Sequence, residues 1–145
     1  MSREPTPGAL VWRLSTKWRV AVDRALAPLK LTHAQYVLLA TLFGMASPPS
    51  QRELADEAGL EALYVSKLAR GLDADGLVQR TRDTVDTRTV RLTLTDRGRA
   101  VVEPAIAEVR VLLDRLMAPL GGRDDERASA FVRDLSALLD APLND

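Results

Sequence analysis

The chain has 145 residues, 46% apolar and 28% charged, proportions of one globular domain, or of one unit completed by oligomerisation, and not of a disordered chain. Its 20 basic and 20 acidic side chains cancel, which argues against a purely electrostatic coat for nucleic acid. Within that balance, residues 1–30 hold six basic and two acidic groups, and residues 98–145 hold six and nine. The absence of cysteine excludes disulfides, thiolate metal sites and thiol redox sensing.

His33 is the only histidine, so a His-built metal site within one chain is not expected, and no cofactor is implied. No apolar run approaches the roughly 20 residues that span a bilayer, and "MSREPTPGAL" lacks an apolar signal core. The expectation is a soluble, cytoplasmic protein without a membrane partner.

In chain order, Leu10, Leu14, Trp18, Ala21, Val22 and Ala25 recur at helical spacing and predict a first helix ended by Pro28. Arg13, Lys17, Arg19 and Arg24 fill much of its other face. Trp18 lies on the stripe and reads as packing, whereas Trp12 lies off it, suited to a second chain or to partial exposure. "LTHAQYVLLATLF" opens a second, central helix with Thr32 as cap, Gln35 three residues on, and Leu31 and Tyr36 as a hydrophobic staple. "GMASPPS" ends it. Ser50 and Glu53 repeat the capping-box pattern for the short helix "QRELADEA", which Gly59 terminates. The next helix runs from about Glu61 to Ala74 and stops at Gly76.

Two short helices around a glycine turn form a helix-turn-helix pattern. Leu54, Ala55, Ala58 and Leu60 are expected to pack on Val65, Leu68, Ala69 and Leu72, leaving Ala62, Leu63, Tyr64, Ser66, Lys67 and Arg70 near the outer face. Helix pairs of this kind are common in all-α proteins and say little about DNA alone. Two short strands, "LVQRT" and "TVRLTL", follow directly. Helix-turn-helix plus ribbon is a winged helix, whose second helix fits a major groove about 12 Å wide. The link between the strands carries Asp83, Asp86 and Arg88 where a tight hairpin would favour Asn-Gly or Asp-Gly. A long, permanently charged arginine at the ribbon tip suits the negative potential of a narrow minor groove. Asp86 is placed to orient it by a paired hydrogen bond, the plain alternative being an exposed ion pair worth about 0–1 kcal/mol. Thr95 and Asp96 start a long helix with an apolar stripe from Val101 to Met117, which Pro104 is expected to kink. "PLGGRDDE" precedes a last helix bearing Ala128, Phe131, Val132, Leu135, Leu138 and Leu139.

With these residues in place, "GLEALYVSKLARGLDADGLVQRTRDTVDTRTVRLTLTDRG", residues 59–98, resembles the MarR family of bacterial transcriptional regulators. The likeness rests on Leu72, Gly76-Leu77-Val78, Arg80, Asp83, Asp86-Thr87-Arg88 and Leu94-Thr95 with Gly98, and upstream on Leu31-Thr32, Gln35, Leu39 and "ELADEAGL". It covers nearly the whole chain in element order. It implies a homodimer whose first and last helices intertwine, and a palindromic operator. It also implies that small, often aromatic molecules bind between the dimer helices and the DNA-binding lobe and release DNA. Four positions depart from the pattern: Glu61 stands where a serine often caps the recognition helix, Leu63 and Tyr64 where small or hydroxyl residues are frequent, and Gly71 where a basic residue is usual.

The expected fold is mainly α with a small antiparallel β-ribbon: a single domain, 1–145, with a winged-helix lobe at about 32–98 and a helical dimerisation region at about 8–30 and 99–141. Ala62, Leu63, Tyr64, Ser66, Lys67 and Arg70 are the expected recognition-helix residues, with Asp86 and Arg88 on the wing. Ser50 and Gln51, at a helix N-terminus, and Arg80, Arg82 and Arg91, flanking the wing, are expected phosphate contacts. Trp18, His33 and Tyr36 are candidates for an effector pocket, His33 neutral beside a helix N-terminus, although structural roles for all three are the plainer reading. One histidine and no nucleotide loop do not make an enzyme. The function read is a DNA-binding transcriptional regulator, expected to be a repressor; a winged-helix protein-interaction module or a small-molecule carrier are the other classes.

Overall fold

A computed structural model describes residues 3–144. The chain divides into two compact units, Met1–Glu108 and Val109–Asp145. The elements in order are α1 (Pro7–Leu26), α2 (His33–Gly44), α3 (Gln51–Ala58), α4 (Ala62–Ala74), β1 (Val78–Arg82), β2 (Val90–Leu94), α5 (Asp96–Met117) and α6 (Glu126–Asp140). The chain is thus mostly helical with one two-stranded antiparallel sheet. Single 3-10 turns, Ala27–Leu29 and Ala118–Leu120, follow α1 and α5.

In the first unit each of the first three helices begins where a side chain can take an orphan backbone N–H. Thr6 accepts from Ala9, and Pro7 follows it, where its missing N–H does no harm. Thr32 and Gln35 form the complete reciprocal box at the head of α2. Ser50 accepts from Glu53 at 3.0 Å, but no return bond from the Glu53 side chain accompanies it. That carboxylate instead stands 3.8 Å from Arg91. Gly59 ends α3 at φ 69°, a left-handed turn that glycine adopts without a Cβ penalty. Leu26, Leu38, Leu39, Leu54, Val65, Leu72 and Leu92 fill the core between these elements.

The ribbon pairs Val78 with Leu94 and Arg82 with Val90. On its other side β2 meets the 48–50 segment: the Leu92 N–H donates to the Pro49 carbonyl at 3.0 Å, and Ser50 bridges Arg91. "GMASPPS" therefore does more than end α2, because a proline that cannot donate to a ladder still accepts from one. The junction into α5 explains the Leu-Thr-x-x-Gly run. The Thr95 hydroxyl donates to the Gly76 carbonyl at 2.6 Å and accepts the Gly98 N–H at 3.0 Å, while the Thr95 N–H donates to the Leu77 carbonyl at 3.1 Å. A Cβ on residue 98 would lie 2.0 Å from that carbonyl oxygen, so only glycine fits. α5 runs unbroken through the exposed Pro104.

In the second unit, Asp125 caps α6 through the Arg127 N–H at 2.8 Å, and Arg123 is paired with Asp114. Val109, Met117 and Ala128 are buried there. Val132, Leu135, Leu138 and Leu139 on α6 remain exposed. No described helix is long and apolar enough to cross a membrane.

Candidate nucleic-acid interface

α4 turns Val65, Ala69 and Leu72 into the core and leaves Ala62, Leu63, Tyr64, Lys67 and Arg70 exposed, with Ser66 half-buried. Leu63, Ser66, Lys67 and Arg70 share one side of the helix, as i, i+3, i+4 and i+7 spacing dictates, and Ala62 and Tyr64 flank them in the first turn. Glu61 is the N-cap residue but its side chain caps nothing, as its length leads one to expect. Among the described residues neither Lys67 nor Arg70 has an ion-pair partner, so both charges face solvent.

The cations around the wing are arranged differently. Arg80 Nε lies 2.8 Å from the Asp73 carboxylate, which ties β1 back to α4. Arg82 donates from Nη1 to the Thr87 carbonyl at 2.7 Å and braces the link from within. Arg91 donates from Nε to Asp83 at 3.1 Å and from Nη1 to the Pro48 carbonyl at 3.0 Å. Each arginine expected to meet phosphate already has an internal partner. Ser50 is buried, its hydroxyl oxygen accepting the Glu53 N–H at the head of α3, and Gln51 beside it is half-buried.

Asp83 is the wing residue whose role the sequence reading missed. It accepts the Asp86 N–H at 3.1 Å as well as Arg91, and its own N–H donates to the Thr89 carbonyl at 2.9 Å. The backbone donor at Asp86, then Arg91, hold its carboxyl below the ordinary carboxylate range. The pairing follows once the strands are in register, since the ribbon puts residue 83 opposite 89 and makes 91 its diagonal neighbour on the same face.

At the tip, the Arg88 side chain is 93% exposed. Asp86 holds it otherwise than by the paired guanidinium bond expected: one carboxylate oxygen accepts the Arg88 backbone N–H at 3.1 Å and lies 3.5 Å from Nε. A two-residue Asx turn fixes the backbone first and leaves the guanidinium free to reach outward.

Of the three effector-pocket candidates, Trp18, His33 and Tyr36 are all half-buried. The His33 backbone N–H donates to Asp23 of α1 at 2.8 Å, joining the head of α2 to the first helix. Burial, more than any neighbouring charge, lowers the His33 pKa; Asp23 opposes the shift and Arg19 reinforces it.

A helix-turn-helix whose outer helix carries unpaired cations, followed by a braced ribbon ending in an exposed arginine, is the architecture of a winged-helix DNA-binding protein. A sequence profile of the MarR family matches residues 31–90. The uncharacterised HTH-type transcriptional regulator YdcH of Bacillus subtilis strain 168 is 33% identical over 104 residues, 70% of this chain and 71% of that relative. The chain belongs to the MarR family of transcriptional regulators. Among solved structures it is similar to the transcriptional repressor CouR bound to a 23-mer DNA duplex, with 29% identity and a TM-score of 0.81 over 95% of this chain and 99% of that one. It is also similar to BpsR of Bordetella bronchiseptica, whose DNA binding is regulated by 6-hydroxynicotinic acid, with 25% identity and a TM-score of 0.82 over 98% and 99% of the two chains.

Proposed function

We propose that this regulator is a repressor: a homodimer that binds a palindromic operator in double-stranded DNA through α4 and the wing, and that a small aromatic effector releases. The observation that carries the reading is the division of charge. Lys67, Arg70 and Arg88 face solvent, while Arg80, Arg82 and Arg91 hold the surface that presents them. Ala62, Leu63, Tyr64, Ser66, Lys67 and Arg70 form the major-groove face, and Arg88, backed by Asp86, enters the minor groove. Gln51 remains a candidate phosphate contact at a helix N-terminus. The whole chain acts as one domain, with residues of about 8–30 and 99–141 supplying the dimer contacts. CouR, bound to duplex DNA, and BpsR, regulated by an aromatic acid, support the operator and the effector respectively.

Titration of duplex DNA at two salt concentrations tests the reading, since phosphate neutralisation releases counterions. Affinity is expected to fall about 10³-fold or more between roughly 50 and 200 mM salt if six or more phosphates are neutralised. Little binding at either concentration would favour an interaction module without DNA contact, the class that zero net charge favours. For the effector, calorimetry with a panel of aromatic acids, comparing wild type with Trp18→Ala and His33→Ala, decides whether those residues line the pocket; equal binding removes them.

A further inference from the structure

Leu63 carries an inference beyond the general assignment of α4 as the reading helix. It lies in the first turn of α4 and is 85% exposed, in a unit whose core already closes without it. Lys67 and Arg70 follow at i+4 and i+7, so one outward column begins with an isobutyl group and continues with two unpaired cations. The residues at the N-terminal end of a recognition helix are those that reach base edges. In the major groove the apolar feature of a base pair is the thymine C5-methyl. A branched alkyl group offers no donor or acceptor to any other edge, and set against a guanine or adenine edge it strips water from acceptors it cannot replace. Tyr64 is less suited, being more covered by its own lobe and ending in a hydroxyl.

We infer that Leu63 is a specificity-determining residue that reads thymine by its methyl group, once per half-site. The inference rests on the proposed DNA-binding function and deepens it. Because Leu63 buries little in the free protein, Leu63→Ala leaves the fold intact, which circular dichroism checks.

The test uses the full chain and a randomised duplex pool. Sequences enriched by the wild-type protein are resynthesised with deoxyuridine replacing thymine one position at a time, which deletes the methyl and changes no hydrogen-bonding group. Wild type is expected to lose about fourfold in affinity at one thymine per half-site, from the roughly 0.8 kcal/mol of one buried carbon, and about fifteenfold when both half-sites are substituted. Leu63→Ala is expected to bind the thymine and uracil duplexes equally at that position while keeping wild-type penalties elsewhere. An enriched sequence at which uracil costs wild type nothing, or a penalty that survives in Leu63→Ala, overturns the assignment of Leu63 and leaves the regulator standing. A pool from which no sequence is enriched overturns both.

Discussion

Arg88 and Asp86 divide the work of the wing tip between charge and backbone. With its side chain almost fully in water, Arg88 contributes no packing, so Arg88→Ala leaves the unfolding midpoint unchanged while weakening DNA binding to most sequences by about 1–3 kcal/mol. Asp86 acts by holding the Arg88 N–H, and it places a carboxylate near phosphate. Those effects oppose each other, so Asp86→Ala is expected to lose less than Arg88→Ala in the same gel-shift titrations. Two glycines make a sharper contrast in stability. Gly71 sits within α4 with open space where a Cβ would stand, so Gly71→Ala is expected to raise stability by about 0.5–1 kcal/mol. A Cβ at residue 98 would stand an impossible 2.0 Å from the Leu77 carbonyl oxygen, so Gly98→Ala forces backbone apart and is expected to lower stability by roughly 1–3 kcal/mol or more. Urea midpoints of the two variants should move in opposite directions.

α4 starts badly for a helix that presents DNA-reading residues. Its N-cap glutamate makes no capping bond, although its charge suits the helix dipole. A serine there adds about 1 kcal/mol of capping and gives up about 0.3–1 kcal/mol of dipole energy. Glu61→Ser is therefore expected to stabilise the chain slightly in urea and, by removing an anion beside phosphate, to tighten DNA binding more visibly. At the head of α2, burial lowers the His33 pKa, so the unfolded chain binds the proton more readily than the folded one. The stability at stake is full above the ordinary value of 6.5 and is lost as pH falls below it. Unfolding midpoints should therefore drop between about pH 7.5 and about pH 5.5 for wild type, and drop less for His33→Gln. Helix heads were legible in the sequence because caps act over three residues: Thr32 with Gln35, and Ser50 with Glu53. The outer face of α4 was legible from periodicity. The arginine partners were not, because Asp73, Asp83 and Pro48 become neighbours of Arg80 and Arg91 only once the ribbon has closed and β2 has met the 48–50 segment. Long basic side chains near a predicted wing look alike until folding sorts the braces from the free charges.

At the scale of the whole molecule, apolar side chains remain that one chain leaves uncovered. On α1 these include Leu10 and Leu14, four residues apart, and on α6 Val132, Leu135 and Leu139, three and four apart, the last 86% exposed. Isolated exposed leucines are ordinary, but a run at helical spacing on the first and last helices fits a covered interface. Under the proposed dimer, Leu139→Asp sets a charge into that interface and is expected to yield a folded monomer, read by analytical ultracentrifugation beside an unchanged far-UV spectrum. The consequence for DNA follows from counterion release. A dimer engages two half-sites and neutralises phosphates at both, whereas a monomer engages one. The slope of log affinity against log salt should then fall to about half its wild-type value. Single charge deletions such as Arg88→Ala, made in both subunits of an intact dimer, should lower it by only about 1 for each phosphate no longer neutralised. A Leu139→Asp chain that still sediments as a dimer places the interface elsewhere. One that is monomeric yet keeps the full salt slope shows that a single winged helix neutralises every phosphate the dimer does.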